Sequence, residues 1–455
     1  MKILLVNCPI RLDANPNNIP YGLATIASVL RNGGFDVEIY DVNALRATRE
    51  EIVAQLRRTA WDVVGLSGLV TTYEFQKWLI SELKRINPDA CVISGGGLAT
   101  SCPDLLFRKT DVDIAVMGEG EQTILALCKT LASDSDLGEV AGIGFRDDGH
   151  VIMTERRPNV KDLDSVPFPA WDLLPVEIYL GNPIWGDAAN NSSGFRSDAK
   201  VTRSMNVISS RGCPFSCTYC YHLFGRSNYR FRSAQNVVDE IEVLVDRYGV
   251  DFIGFVDDNM MASEQRLLEF CDLMERKQFP VTWGCHGRVT SARADLLERM
   301  ADTGCVWIGY GIESGSQKIL DAMNKKAKVE QAKQAVIETR KVRIYPNTTF
   351  IFGYPGETRQ TIQETIDFKR ELGLECGSFF ATPYPGAPLY EEIKDRIKDK
   401  EAFICSLGNA TEFSINLTEF DDESLFRMKR AMDANQDVIG QDDALRSNAL
   451  QQTRR

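Results

Sequence analysis

Two successive series of short apolar runs, each run followed by an amphipathic helical stretch, constrain this chain more than any single residue. The first series comprises KILLV (2–6), DVEIYD (36–41), DVVGLS (62–67), ACVISGGG (90–97) and DIAVMGEGE (113–121). Between them lie YGLATIASVLRNGG, which Gly33-Gly34 bring to a stop, a helix near 49–59, and EFQKWLISELKRI. Strands of this length alternating with helices make βαβ units and a parallel sheet, so residues 1–145 are expected to form a doubly wound α/β domain. The loops after its strands carry small residues: Ser67-Gly68, Gly95-Gly96-Gly97 and Gly118-Glu119-Gly120. One such loop is only a tight turn. Three at successive strand ends predict a ligand at the carboxyl edge.

From about 155 to 200 the alternation lapses. DLDSVPFPAWDLLP has prolines at 167, 169 and 175, and GDAANNSSGFRSDAK is small and polar, so 146–203 reads as a linker and a flexible loop. A second series follows: MNVISS (205–210), DFIGFVD (251–257), VTWGCH (281–286), CVWIGYGIE (305–313), NTTFIFG (347–353) and GSFFATP (377–383). Six units without a clear seventh or eighth predict a partial (β/α)6 TIM barrel over 204–392, with its chemistry where strands end and loops begin. Residues 393–455 read as a helical extension with a frayed end.

With 455 residues, 44% of them hydrophobic, the chain has material for two or three cores. Its net charge of −12 argues against a nucleic-acid partner. The apolar run in MKILLVNCPI is too short for a signal peptide and reads as a first buried strand. No apolar run reaches the ~20 residues of a membrane helix. A cytoplasmic location is expected, in which the twelve cysteines stay reduced.

Nine of those cysteines stand alone, mostly in apolar contexts, and read as small buried side chains. The other three differ. SSRGCPFSCTYCYH (209–222) sets Cys213, Cys217 and Cys220 at spacing C-x3-C-x2-C. Zinc is one reading, with His222 as a fourth ligand, although zinc knuckles usually stand in small modules of their own. An iron–sulfur cluster is the other. A four-iron cubane normally takes four thiolates, so three leave one iron open to a small ligand. Gly212 and Pro214 allow a sharp turn, while Phe215, Tyr219 and Tyr221 can shield such a group from water.

CPFSCTYC at the end of a first barrel strand resembles the radical S-adenosylmethionine (SAM) superfamily. The resemblance implies a [4Fe–4S] cluster on Cys213, Cys217 and Cys220 whose open iron chelates SAM, and reductive cleavage of SAM to a 5′-deoxyadenosyl radical. It extends to GFVDDNM (254–260), implying Asp257 or Asp258 at the methionine ammonium, although both could instead cap the helix beginning near Ser263. It implies Arg288, in WGCHGRVT, at the methionine carboxylate, and Glu313, in GYGIESGS, at the ribose hydroxyls. Gly353 in FIFGYPGET, Tyr384 in ATPYPGAPLYEE and Tyr219 before the third cysteine complete the implied SAM set. A flavodoxin or ferredoxin-type reductant is implied with them.

Residues 1–145 resemble the Rossmann-like cobalamin-binding domain of one branch of that superfamily. This branch holds cobalamin-dependent radical SAM methyltransferases and the anaerobic magnesium-protoporphyrin ester cyclase. YGLATIASVLRNGGFDVEIYDVN, ISGGGLATSCPDLL and VDIAVMGEGEQTIL carry the likeness. The implied cobalamin contacts are Cys8, Tyr21, Ser67, Leu69, Val70, Thr71, Gly95, Gly96, Gly97, Gly118 and Glu119. One departure stands out. The D-x-H-x-x-G motif of such domains is replaced by NCPIRLDANPNN, and no histidine precedes His150. Cys8 is either a thiolate ligand in that loop or simply a small strand-end residue.

The implied function is methylation of an unactivated carbon in a small-molecule substrate. The alternative is radical cyclisation, rearrangement or oxidation without methyl transfer, the first domain then binding cobalamin or being vestigial. His286, Tyr310, Tyr384 and the 185–203 loop are candidates to line the substrate, His286 being equally a core residue near Trp283. A non-catalytic corrinoid or metal sensor would have no use for Asp257, Glu313 or the PYPG stretch. A tRNA methylthiotransferase is disfavoured by the dispersed Cys8, Cys91 and Cys102 and by the acidic charge.

Overall fold

The first alternating series closes into one sheet. In the computed structural model, which describes residues 1–12, 14–181, 201–225, 228–408 and 410–439, that sheet has seven strands. Most of the expected 185–203 loop and the frayed tail fall outside the described residues. β1 (Lys2–Asn7), β2 (Asp36–Asp41), β3 (Val63–Ser67), β4 (Cys91–Gly95) and β5 (Ile114–Val116) run parallel in the order β2-β1-β3-β4-β5. The order reverses direction between β1 and β3, and an open α/β sheet leaves a crevice beyond its strand ends at such a point. β6 (Ile143–Asp147) and β7 (His150–Met153) then extend the β5 edge antiparallel. Their hairpin turns at Asp148 and Gly149, both at positive φ (43° and 80°), as a two-residue Asp-Gly turn requires.

The second series forms a six-stranded sheet in which every pair is parallel. β8 (Ser204–Val207) is followed by a small antiparallel ribbon, β9 (Ser210–Arg211) with β10 (Arg230–Phe231), which stands apart from the sheet. β11 (Phe252–Phe255), β12 (Thr282–Gly287), β13 (Cys305–Glu313), β14 (Tyr345–Phe352) and β15 (Ser378–Phe380) then add in chain order beside β8. β8 and β15 do not pair with each other, so the curled sheet is a partial barrel.

The pleat decides what the barrel interior offers. Along β14, half-buried and buried residues alternate. Phe350 and Phe352 join the core under the helices, while Tyr345, Asn347, Thr349 and Ile351 occupy the alternate, more open positions. Under the helices, Phe255, Phe270 and Trp283 meet edge to face, with ring centroids 5.3–6.0 Å apart, and Trp283 donates its indole N–H to the Thr303 carbonyl at 2.9 Å.

The two sheets share cores. Ile19, Ala24 and Ala44 from the first series pack with Trp171 and Leu174 of the linker and with Met205 and Val207 of the barrel. Phe403, Ile404 and Leu407, from beyond the barrel, pack into the core of the first sheet. Burying each side chain of this size stabilises the joint by about 1.5–3 kcal/mol. Among the described residues, no helix is long and apolar enough to cross a membrane.

Candidate active site

The loop bearing the three cysteines leaves the ribbon at Arg211 and returns at Arg230, which lie opposite each other across β9 and β10. Gly212 follows Arg211 at φ +79°, and a Cβ there would lie 1.9 Å from the Asn228 carbonyl oxygen. Only glycine lets the chain turn into Cys213. Cys217 is buried, and Cys213 and Cys220 are half-buried. Arg288, just after β12, lays its guanidinium 3.7 Å from the Phe215 ring centre and brings Nη1 to 3.5 Å from Cys217 Sγ.

The hydrogen bond from Cys220, helped by Lys325 and Arg288, holds the Cys217 thiol well below its ordinary value, while that bond and burial push Cys220 up. Among the described residues, no three His, Cys, Asp or Glu side chains converge on one point as a single metal ion needs, so His222 does not close a ready zinc cage with the thiols. Three soft thiols on one loop, two cations favouring the thiolate and aromatic neighbours fit an iron–sulfur cluster.

The paired aspartates at the end of β11 have different situations. Asp257 is 2% exposed and accepts from Ser209 N (3.1 Å), Ser209 Oγ (2.8 Å) and the Ser210 hydroxyl. Asp258 makes no hydrogen bond or ion pair among the described residues and lines an open cleft, and its carboxyl is raised first by desolvation and then by Asp257. Ser263, not either aspartate, stands at the start of the next helix, and no side chain caps it. Asp258 is the one free to meet a cation.

Glu313 sits on a bulge of β13 at φ +70°, where its Oε1 accepts from Lys325 Nζ and Tyr219 Oη, each at 2.9 Å. Lys325 escaped the sequence reading because MNKKAK looks like a solvated charge run. Gly353, at φ +81°, donates its N–H to Glu357 Oε2 at 2.7 Å. Burial pushes the Glu357 carboxyl up to about 8, against the pull of the Gly353 and Tyr354 N–H groups. Tyr384 turns its hydroxyl to the Gly408 carbonyl at 3.0 Å and packs against the core of the first sheet.

One expectation is corrected. Tyr310 does not line a substrate space: it is fully buried with Ile308 and Ile312 in the helix-side core, and its hydroxyl meets Thr339 Oγ1 at 2.9 Å. Gly309 and Gly311 take the opposite face, since a Cβ on Gly309 would lie 2.5 Å from His286 Nδ1. His286 packs edge-on against Trp307, centroids 5.2 Å apart, and burial lowers its imidazole to about 4, which keeps it neutral near pH 7.

Between the carboxyl edge of the first sheet and the barrel mouth lies a continuous cleft that opens to solvent. Its inner wall is apolar, with Leu5, Leu23, Ile93, Val116 and Ile124, and Ser67, Gly95, Gly96, Gly118 and Glu119 stand along the strand ends. The opposite wall brings Arg211 and Gly212 of the cysteine loop, Phe224 and Asp258. Gly118, at φ +75°, would direct a Cβ into open space, and Gly96, at φ +82°, would drive one to 2.9 Å from the Gly68 carbonyl. A wide space with an apolar back and bare backbone at its rim fits a large ring ligand such as a corrinoid.

The other expected corrinoid contacts are spread more widely. Tyr21 lines the cleft but commits its hydroxyl to Glu240 (3.0 Å) and Arg232 (3.1 Å) of the barrel domain. Leu69 is 54% exposed near Gly97, where a Cβ would lie 3.6 Å from Leu69 Cδ2, and Thr71 is half-buried. Val70 and Cys8 belong to the core of the first sheet instead, and burial pushes the Cys8 thiol well up, away from the thiolate.

Glu119 is already engaged. It bonds Arg230 at 2.6 Å and Arg211 at 3.2 Å and accepts the Val160 N–H at 2.5 Å. Burial raises its carboxyl, but the arginines outweigh that and hold it below its ordinary value. No local signal in the sequence joins Glu119 to partners so distant along the chain.

Residues 207–368 match the Radical SAM superfamily, and residues 9–128 match the B12 binding domain. The chain is 30% identical over 400 residues to an uncharacterized methyltransferase of Pyrococcus horikoshii, covering 86% of this chain and 83% of the relative. It is 28% identical over 393 residues to the anaerobic magnesium-protoporphyrin IX monomethyl ester cyclase of Cereibacter sphaeroides, covering 83% of this chain and 61% of that one. In fold it resembles the radical S-adenosylmethionine methyltransferase TsrM of Kitasatospora setae, with a TM-score of 0.69 at 19% identity over 87% of this chain and 76% of that one.

Gly212→Ala is expected to strip most iron from protein loaded without oxygen while leaving corrinoid binding in place; iron content equal to wild type would contradict the role given to this turn. Glu357 gives a pH test. Its proton stays on the folded chain up to about 8 but leaves the unfolded one near 4.5. Its contribution to stability is therefore full below 4.5 and fades as pH rises through 8. Denaturant unfolding should show Glu357→Gln losing less stability than wild type across that interval, and parallel losses would refute the buried acid.

Proposed function

The chain belongs to the radical SAM superfamily, in the branch that joins a B12-binding domain to the barrel, and on that premise we propose that it methylates an unactivated carbon of a small-molecule substrate. The observation that carries this reading is the single cleft, with the glycine loops on one wall and Gly212 and Asp258 on the other. Chemistry that brings a radical centre to a methyl donor needs one shared space from which water is kept out.

When bound, the [4Fe–4S] cluster supplies the electron that splits SAM into methionine and a 5′-deoxyadenosyl radical, and cobalamin carries the methyl group. Cys213, Cys217 and Cys220 would hold the cluster. Asp258, unpaired at the cleft, would take the methionine ammonium, and Arg288, beside Cys217, its carboxylate. Glu313 would accept from the ribose, its charge balanced by Lys325 at 2.9 Å and its orientation fixed by Tyr219. Gly353 and Tyr384 complete the SAM set in this proposal. Ser67, Gly95, Gly96 and Gly118 would line the corrinoid edge, and Ile208, Leu223, Phe224 and Val256 would exclude water from the space between. A one-electron reductant of the flavodoxin or ferredoxin class belongs to the proposal, and so does a reducing compartment suited to twelve free thiols.

Likeness to an uncharacterized methyltransferase over 83% of its length supports methyl transfer, and the cyclases, matched over 61–78% of theirs, keep cyclisation as the second reading. Anaerobic turnover of enzyme loaded with iron and cobalamin, with methyl-deuterated SAM, a low-potential reductant and a small-molecule extract of the producing cells, tests this. The expected products are S-adenosylhomocysteine and 5′-deoxyadenosine in equal amounts and a small molecule carrying the labelled methyl. Formation of 5′-deoxyadenosine and methionine without S-adenosylhomocysteine would overturn methyl transfer in favour of cyclisation, rearrangement or oxidation.

A further inference from the structure

Three successive residues tie the cysteine loop to the acid of β13. The helix Gln317–Ala322 stops at Met323, and the chain turns on through Asn324 and Lys325. Met323 accepts the Thr218 N–H on its carbonyl at 3.0 Å. Asn324 donates Nδ2 to the Ser216 carbonyl at 2.9 Å and to Ser216 Oγ at 3.1 Å. Lys325 accepts from Arg288 Nη2 on its carbonyl, and its Nζ donates to Glu313 Oε1 and Tyr219 Oη, each at 2.9 Å. The backbone takes costly conformations to achieve this. Asn324 (φ 52°), Lys326 (φ 54°) and Glu313 (φ 70°) are all left-handed, a region that among these three suits only asparagine. Gly311 supplies the room, since a Cβ there would lie 2.1 Å from Glu313 Oε1 and 3.1 Å from Lys325 Nζ. Strained residues of this kind concentrate where a site is preorganised.

We infer that Lys325 and Asn324 are positioning residues of the SAM site. Lys325, together with Tyr219, occupies one oxygen of Glu313 and so aims the other at the ribose hydroxyls. Both donors fall on Oε1, while Oε2 has no partner among the described residues and is not sealed from solvent. An acid pinned in this way loses little freedom when it meets the ribose, which strengthens binding without adding a contact. Asn324 fastens the cysteine loop at Ser216, between Cys213 and Cys217, and so holds the thiols in place for the cluster. The inference rests on the radical SAM reading and is indifferent to whether a methyl group is transferred.

The experiment uses the full chain loaded with iron without oxygen and reads binding, not turnover. SAM and an analogue whose ribose lacks both hydroxyls are titrated by equilibrium dialysis into wild type, Lys325→Met and Asn324→Gly, and the rate of iron loss to a chelator is recorded for each. Wild type should prefer SAM over the analogue on the order of tenfold. Lys325→Met should keep its iron, bind SAM on the order of tenfold more weakly and no longer distinguish it from the analogue. The ratio of the two affinities does not depend on the fraction folded, so a less stable variant still reports, and Lys325→Arg should recover the preference. Asn324→Gly keeps a left-handed backbone while removing the amide, and should lose iron on the order of tenfold faster with the preference intact. Lys325→Met that weakens both ligands equally, or neither, would overturn the role of Lys325, and iron loss from Asn324→Gly at the wild-type rate would overturn that of Asn324. Wild type that holds iron but shows no preference would place the ribose away from Glu313 and overturn the Lys325 inference alone. Wild type that takes up no iron would sink the radical SAM reading and the whole inference with it.

Discussion

Two arginines face each other across a two-stranded ribbon, and a carboxylate from the other sheet bonds to both. Like charges directly opposite on a ribbon destabilise it, and a carboxylate buried alone costs more still. Together they are satisfied: Glu119 bonds Arg211 at 3.2 Å and Arg230 at 2.6 Å, and both guanidinium groups lie within 6 Å of the Phe224 ring centre. Arg211 precedes Gly212 and Cys213, and Glu119 stands between Gly118 and Gly120. The ion cluster therefore ties the cysteine loop to the ligand edge of the first sheet. Removing one member would leave an uncompensated buried charge, a loss of about 3–5 kcal/mol.

A second junction works the same way at lower charge. Tyr21, at the start of the first helix, bonds Glu240 on a barrel helix, and Arg232 closes that set against both. The apolar joint below it, from Trp171 to Val207, supplies the area, while the polar contacts fix the angle at which the two sheets meet. The cleft exists because these junctions hold two strand-end edges face to face. Neither sheet alone would enclose it.

Much of this was legible in the sequence because periodicity and turn chemistry are local. The βα alternation located both sheets, and the C-x3-C-x2-C spacing located the loop that the barrel presents at its mouth. What failed was whatever depended on facing or on distance along the chain. β13 is buried on both faces, so its residues show no alternation from which to tell that Tyr310 turns to the helices. β6 and β7 were missed although Asp148-Gly149 is a hairpin signal, since they break the parallel pattern around them. Asp257 and Asp258 are indistinguishable in sequence, and only the placement of Ser209 and Ser210 shows which is already satisfied. Glu119, expected from the resemblance to meet the corrinoid, is instead held by arginines that come from another domain and leave no local signal.

If one chain carries two separable cofactor sites that meet in one cleft, either can be emptied without the other. Metal analysis of protein loaded anaerobically with iron and cobalamin tests it most directly, comparing wild type with the triple variant Cys213→Ala/Cys217→Ala/Cys220→Ala. Wild type should hold about four irons and one cobalt per chain, and the triple variant should lose the iron while keeping the cobalt. Iron retained by the triple variant, or wild type that binds no cobalt, would contradict the account.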